Sequence, residues 1–106
     1  MVTLRRAVAI IAAVLLVACG TAFSAGAPVK VHIGVHASFV VSGGGSVWAS
    51  DPILNRVVRV DPATNRIKAR LAVPNYPFGL AFGSGSIWVG SRYGSQVTRF
   101  NARTNK

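Results

Sequence analysis

The chain has 106 residues, with 12 Lys or Arg against two acidic residues and a formal net charge of +10 at pH 7. The two acidic residues are Asp51 and Asp61, and Asp61 is accounted for by a predicted turn. The sequence therefore offers no pair of carboxylates for general acid–base catalysis and no cage for a hard cation. Cys19 is the single cysteine, which excludes an intramolecular disulfide.

The first predicted element is an export signal. Residues 2–6 carry Arg5 and Arg6, and residues 7–18 are an unbroken run of Ala, Val, Ile and Leu. This run is shorter than the about 20 apolar residues of a membrane-spanning helix. A basic start, a short apolar stretch and small residues after it are typical of a secretory signal. We therefore predict that residues 1–18 direct the chain out of the cytoplasm.

The end of the apolar run resembles the bacterial lipobox, in which a small residue precedes a cysteine that becomes the lipidated N-terminus. Residues 16–20 read Leu-Val-Ala-Cys-Gly, so Cys19 is the predicted lipidation site and residues 19–36 are a tether. This predicts a lipoprotein anchored to the cell membrane. In the alternative, Cys19 is lost with an ordinary signal that is cleaved after Ser24 or Ala27, and the chain is secreted or periplasmic.

The positive charge suggests partners outside the cytoplasm. A basic domain there would be drawn to anionic lipid headgroups, to acidic cell-envelope polymers or to a protein partner. Nucleic acid is not an expected partner in that compartment. In the simpler interpretation, the scattered arginines only supply the solvated positions of strands and turns.

From Val29 onward, short β-branched and aromatic runs alternate with Gly, Pro, Asn and Asp, the pattern of a many-stranded all-β domain. The sequence also repeats itself. Residues 43–66 align without a gap on residues 83–106 at an offset of 40, with eight of 24 positions identical. Periods of about 40 residues with several short strands each favour β-propeller blades.

The repeat places one predicted blade over about residues 37–73 and part of a second over about 78–106. Its predicted strands are 37–42, 46–50, 55–60, 66–73, 78–82, 86–91 and 96–100. Asp61-Pro62-Ala63-Thr64-Asn65 is predicted to connect the third and fourth strands, because Asp and Pro start turns and Asn tolerates the left-handed conformation. The chain stops at Lys106, where a further strand should begin, so we expect a fragment of a larger propeller or one piece of an assembly.

At these residues the chain resembles the bacterial YVTN-type 40-residue propeller repeats and the streptogramin B lyase-like propellers. The resemblance lies in residues 45–50 (Gly-Ser-Val-Trp-Ala-Ser) and 57–65 (Val-Val-Arg-Val-Asp-Pro-Ala-Thr-Asn), and again in 85–91 and 97–105. It covers about residues 37–106. Asn101-Ala102 departs from the Asp-Pro of the family. The lyase branch implies magnesium-assisted ring opening with a catalytic histidine, but neither His32 nor His36 matches a catalytic position of the family.

The sequence contains no predicted catalytic or metal site and implies no cofactor. The residues that could contact a ligand are His36, Asp51, Arg92 and Tyr93. Trp48 and Trp88 recur at equivalent positions, which favours packing between blades over a stacking platform for a ligand.

Three functions follow from these patterns. The first is an exported, surface-anchored binding module without a catalytic site. The second is the N-terminal part of a streptogramin lyase-like or lactonase-like enzyme whose catalytic blades lie beyond Lys106. In the third, short chains of this kind assemble into a ring.

Overall fold

Two antiparallel sheets make up the part of the protein that its computed structural model describes, residues 26–106. The first contains β1 (Val40–Gly43), β2 (Ser46–Asp51), β3 (Arg56–Asp61) and β4 (Arg66–Ala72), paired in chain order. The second contains β5 (Pro77–Gly83), β6 (Ser86–Ser91) and β7 (Val97–Asn101), again in chain order. No helix in this range is long and apolar enough to span a membrane. The all-β prediction is confirmed, while the predicted signal and Cys19 lie outside the described residues.

All seven strands fall where the sequence predicts them, and the largest shift is at the first. β1 begins at Val40 and not at Ala37. Just before it, the Ser38 N–H donates to the Ser50 carbonyl and the Ser50 N–H to the Phe39 carbonyl, both at 3.0 Å, so two residues oppose one and the regular pairing starts only at Val40. The Phe39 N–H, left out of this pairing, donates to the Ser50 hydroxyl at 3.1 Å. In β4, the predicted alternation is confirmed, with half-buried Ile67, Ala69 and Leu71 between exposed residues.

The two copies of the repeat form the same hairpin turn between their third strand and the residues that follow it. In the first copy, the Asp61 carboxylate accepts from the Ala63 N–H at 2.9 Å, and Asn65 has a φ of 60°. In the second, the Asn101 amide oxygen accepts from the Arg103 N–H at 2.8 Å, and Asn105 also has a φ of 60°. The Asn101-Ala102 departure therefore preserves the turn, because an amide oxygen accepts the same hydrogen bond as a carboxylate.

The core lies between the two sheets. Its fully buried members come from facing sides of both sheets: Trp48, Val57, Val73, Ile87, Val89 and Ala102. Partly buried side chains extend it, and they are Val41, Leu71, Leu80, Phe82 and Phe100. Burying one valine, leucine, isoleucine or phenylalanine side chain stabilises a fold by about 1.5–3 kcal/mol. The two sheets therefore shield these side chains from water. On the opposite face of the first sheet, Ala49, Val58 and Val60 are buried as well.

Phe82 of the second sheet packs directly on the backbone of the β1–β2 turn. A Cβ built on Gly43 would lie 2.1 Å from Cγ of Phe82, far inside van der Waals contact. Gly44 is also crowded, by Phe82 and by Ala102, and has a φ of 58° that glycine adopts without strain. The glycines therefore let the aromatic ring approach the turn closely. A Cβ built on Gly83, the equivalent of Gly43, would meet nothing within 4 Å.

Arg59 joins the two sheets by polar contacts. It pairs across the ladder with Trp48, and its guanidinium carbon lies 4.8 Å from the centre of that ring. Its Nε donates to the Ser46 hydroxyl at 2.7 Å, and its Nη1 donates to the Ala102 carbonyl at 2.5 Å and to the Asn105 amide oxygen at 2.9 Å. The sheets are therefore held by a buried cation as well as by apolar contact.

Gly43→Ala will destabilise the fold by about 1–3 kcal/mol, because the new methyl group collides with the Phe82 ring and displaces it from the core. Gly83→Ala is the matched control, since it makes the same change at the equivalent turn, where the space is open. It should change the free energy of unfolding by less than about 0.5 kcal/mol. Urea denaturation of both variants measures this, and equal losses would contradict the packing described here.

Candidate functional site: an aromatic–arginine cluster

Four aromatic residues and one arginine gather at one end of the two sheets. Tyr76 lies in the connection before β5 and Phe78 in β5 itself. Arg92 and Tyr93 lie in the loop between β6 and β7, and Phe39 precedes β1. We call these five residues the aromatic–arginine cluster. Its rings lie within 6.3 Å of a neighbouring ring, centre to centre: Phe39 to Phe78 at 4.9 Å, Tyr76 to Tyr93 at 5.6 Å and Tyr76 to Phe78 at 6.3 Å.

The guanidinium of Arg92 is surrounded by three of these rings. Its central carbon lies 5.9 Å from each of the ring centres of Tyr76, Phe78 and Tyr93. At this distance, a cation is attracted by the face of an aromatic ring, with about 0.5–1 kcal/mol per exposed contact. Three such contacts restrict a long side chain that would otherwise move freely in water.

Backbone hydrogen bonds hold the two loops of the cluster together. The Arg92 N–H donates to the Tyr76 carbonyl at 2.9 Å, and the Tyr93 N–H donates to the Asn75 carbonyl at 3.1 Å. Asn75 and Tyr76 both have left-handed φ values, 64° and 63°, which turn this connection toward the other loop. Non-glycine residues seldom adopt this conformation, and such positions concentrate at functional sites.

The 40-residue repeat provides an internal comparison for the cluster. Tyr76, Phe78, Arg92 and Tyr93 correspond to His36, Ser38, Pro52 and Ile53 in the first copy. None of the corresponding residues is a tyrosine, a phenylalanine or an arginine, although the strands on either side repeat. The repeated strands therefore do not require the cluster.

The chemistry of the cluster suits an anion. An arginine presents up to five N–H donors in a planar fork that matches a carboxylate or a phosphate. Within residues 26–106, the Arg92 side chain donates no hydrogen bond and forms no ion pair. Tyr93 is 60% exposed, so its ring and hydroxyl are also accessible. The arrangement offers a fixed cation, a phenol and apolar ring surface side by side.

Asp51, another residue that the sequence singles out, is occupied by structural contacts. It is fully buried and its Oδ2 accepts from the Val35 N–H at 3.0 Å, while its Oδ1 accepts from the Leu54 N–H at 3.3 Å. Nε of Arg56 lies 3.9 Å from Oδ2 of Asp51, and Nη2 of Arg56 donates to the Ile33 carbonyl at 2.6 Å. Asp51 and Arg56 therefore fasten the segment before β1 to the first sheet.

The two histidines do not join the cluster. His32 and His36 are both exposed in the extended segment before β1. Among the described residues, no group of three or more His, Cys, Asp or Glu lies close enough together to hold a metal ion. Of the four predicted ligand residues, the structure brings together Arg92 and Tyr93, leaves His36 in solvent and buries Asp51.

Sequence reasoning missed three members of the cluster. Tyr76 lies in a stretch that reads only as a connection, and Phe39 and Phe78 lie in predicted strands. The available signal was an aromatic residue in each of two polar loops, at positions without an aromatic equivalent in the other copy. Their proximity depends on how the sheets pack, which the sequence pattern does not specify.

No family model matches the sequence, and comparisons with curated proteins and with solved structures also found no match.

Asp51→Asn will destabilise the fold by about 1–3 kcal/mol, because an amide has one acceptor oxygen and places its NH₂ group, at a fully buried position, against one of the two N–H groups that Asp51 accepts from. Asp61→Asn is the matched control with the same loss of charge. It should be nearly neutral, since Asn101 already supports the identical turn. Hydrogen exchange at the Val35 amide should accelerate only in Asp51→Asn, and equal behaviour of the two variants would contradict this role for Asp51.

Proposed function

We propose that this chain is an exported, non-catalytic binding module whose aromatic–arginine cluster binds the anionic groups of a cell-envelope polymer. The observation that carries the proposal is the Arg92 guanidinium, fixed by Tyr76, Phe78 and Tyr93 while its donors remain unused within the described residues. A restrained guanidinium loses little freedom on binding, so more of its interaction with an anion appears as affinity.

The charge distribution around the cluster supports the same ligand class. Asp51 is buried and paired, and the Asp61 carboxylate accepts within its turn. By contrast, every described Lys and Arg except Arg56 and Arg59 is exposed. The surface therefore presents positive charge with little to neutralise it, and such a surface raises the local concentration of polyanions.

The proposed location of the protein at the cell membrane rests on the sequence alone. A lipidated Cys19 would hold the module at the outer face of the cell membrane, and residues 21–28 would give it reach toward the envelope. We further propose that the two sheets are successive blades of a β-propeller of the YVTN type. The shared register of Trp48 with Arg59 and of Trp88 with Arg99, together with the face-to-face packing of the sheets, supports this.

Arg92→Gln should weaken binding of the purified chain to polyglycerol phosphate by about tenfold or more. The reason is that a charge-assisted hydrogen bond contributes about 1.5–3 kcal/mol, and 1.4 kcal/mol is a tenfold change in Kd. Isothermal titration calorimetry at fixed ionic strength measures the affinity. Poly-L-glutamate, titrated in parallel, tests whether a carboxylate polymer with a protein backbone binds in preference to a phosphate polymer.

Arg103→Gln is the matched control, since it removes one exposed arginine from a turn outside the cluster. It should leave the Kd within about twofold, because a single exposed charge at a distance is screened by salt. If both Gln variants weaken binding equally, the polymer is attracted by the overall positive surface and the cluster is not the site. A preference for poly-L-glutamate would shift the ligand class to an acidic protein.

A further inference from the structure

The two sheets differ in how their corresponding faces are covered. The face of the first sheet that carries Trp48 packs on the second sheet. The corresponding face of the second sheet, which carries Trp88, has no sheet packed on it among the described residues. Trp48 and Val57 are fully buried, whereas their equivalents Trp88 and Val97 are 36% and 69% exposed. We call this second surface the open face.

A groove runs along the open face. It has a volume of about 290 Å³ and is lined mostly by small or apolar residues: Phe39, Gly79, Leu80, Ala81, Trp88, Gly90 and Val97. Gly83, at its edge, has no atom within 4 Å of a built Cβ, while Gly43 at the same place in the first sheet is covered by Phe82. The open face thus repeats the surface that the first sheet buries, without the atoms that bury it.

On the open face, the equivalent of the Arg59 contact between the two sheets has its donor but no acceptors among the described residues. Arg59 donates to the Ala102 carbonyl and the Asn105 amide oxygen across the sheet boundary. Arg99, its equivalent, lies 5.6 Å from the Trp88 ring centre in the same cation–π arrangement. Its guanidinium donates no hydrogen bond within residues 26–106 and faces solvent. A partner for the open face must therefore supply acceptors for Arg99.

The opposite end of the same chain supplies such acceptors. Pro62 and Asn65 correspond to Ala102 and Asn105 in an identical turn, and both are exposed. Apolar side chains surround this turn on the outer side of the first sheet, with Val29 68% and Val40 64% exposed. Val29, Val40, Pro62 and Asn65, together with half-buried Val47, line a cavity of about 360 Å³ beside the segment before β1. We call the surface formed by these five residues the tail face.

From this match we propose that the open face of one chain binds the tail face of a second copy. In this contact, Arg99 donates to the Pro62 carbonyl and the Asn65 amide oxygen of the neighbouring copy, and Trp88 and Val97 pack on its apolar residues. The contact repeats the interface between the two sheets of one chain. Because it joins two different surfaces, it leaves one of each free and leads to rings or filaments.

The test uses two variants of the whole chain that each block one surface. Val97→Arg places a charge on the open face, and Pro62→Arg places one on the tail face opposite Arg99. Both positions are exposed, so the fold should tolerate the changes, which circular dichroism checks. Like charges across an interface oppose association strongly, and each variant should weaken self-association about a hundredfold. Ala63→Arg is the matched control, because the equivalent residue is naturally Arg103.

Sedimentation equilibrium should show oligomers for the unchanged chain and for Ala63→Arg, and monomers for each blocked variant alone. An equimolar mixture of Val97→Arg and Pro62→Arg should form a one-to-one dimer, since one open face and one tail face remain. A dimer of Pro62→Arg alone would mean that two open faces pair with each other, and would overturn the proposal. A monomeric unchanged chain at all accessible concentrations would also overturn it.

Discussion

The buried guanidinium of Arg59 is the contact on which the arrangement of the two sheets depends. It faces no carboxylate, and its charge is compensated by the Trp48 ring and by oxygens of Ser46, Ala102 and Asn105. An arginine left without these partners would carry a large desolvation cost. The second sheet must therefore bring its last turn to one position, which fixes the register of the apolar side chains between the sheets.

This constraint explains why one structural unit, used twice, gives two different surfaces. In the first sheet, the tryptophan, the valine of the third strand and the arginine are all buried. In the second sheet, Trp88, Val97 and Arg99 reach solvent. The loops depart from the repeat instead, and there the aromatic–arginine cluster forms around Arg92. The repeated residues thus support association between sheets, and the unrepeated ones form the aromatic–arginine cluster, which shares Phe39 with the groove on the open face.

Much of the fold could be predicted from the sequence because its signals are local. The 40-residue offset placed the strands, and the period of two in β4 identified its buried side. The recurrence of Trp48 and Trp88 predicted packing for both, and the structure buries Trp48 but leaves Trp88 36% exposed. The candidate site was harder to predict. Arg92 and Tyr93 are ligand candidates from the sequence alone. Tyr76, Phe78 and Phe39 come from a connection, from β5 and from the residue before β1, and they meet the other two only in the folded chain. In the sequence, Asp51 reads as a residue that could contact a ligand, because Val35, whose N–H it accepts, lies 16 residues away and approaches it only when the segment before β1 packs.

Equivalent faces of the two sheets differ in burial, and tryptophan fluorescence measures this difference in solution. In Trp88→Phe, the remaining emission comes from Trp48 alone. In dilute solution, we expect this emission to be blue-shifted from that of the unchanged chain and less quenched by acrylamide, because Trp48 is fully buried and Trp88 is not. Identical emission maxima and quenching constants for the two proteins would contradict the account.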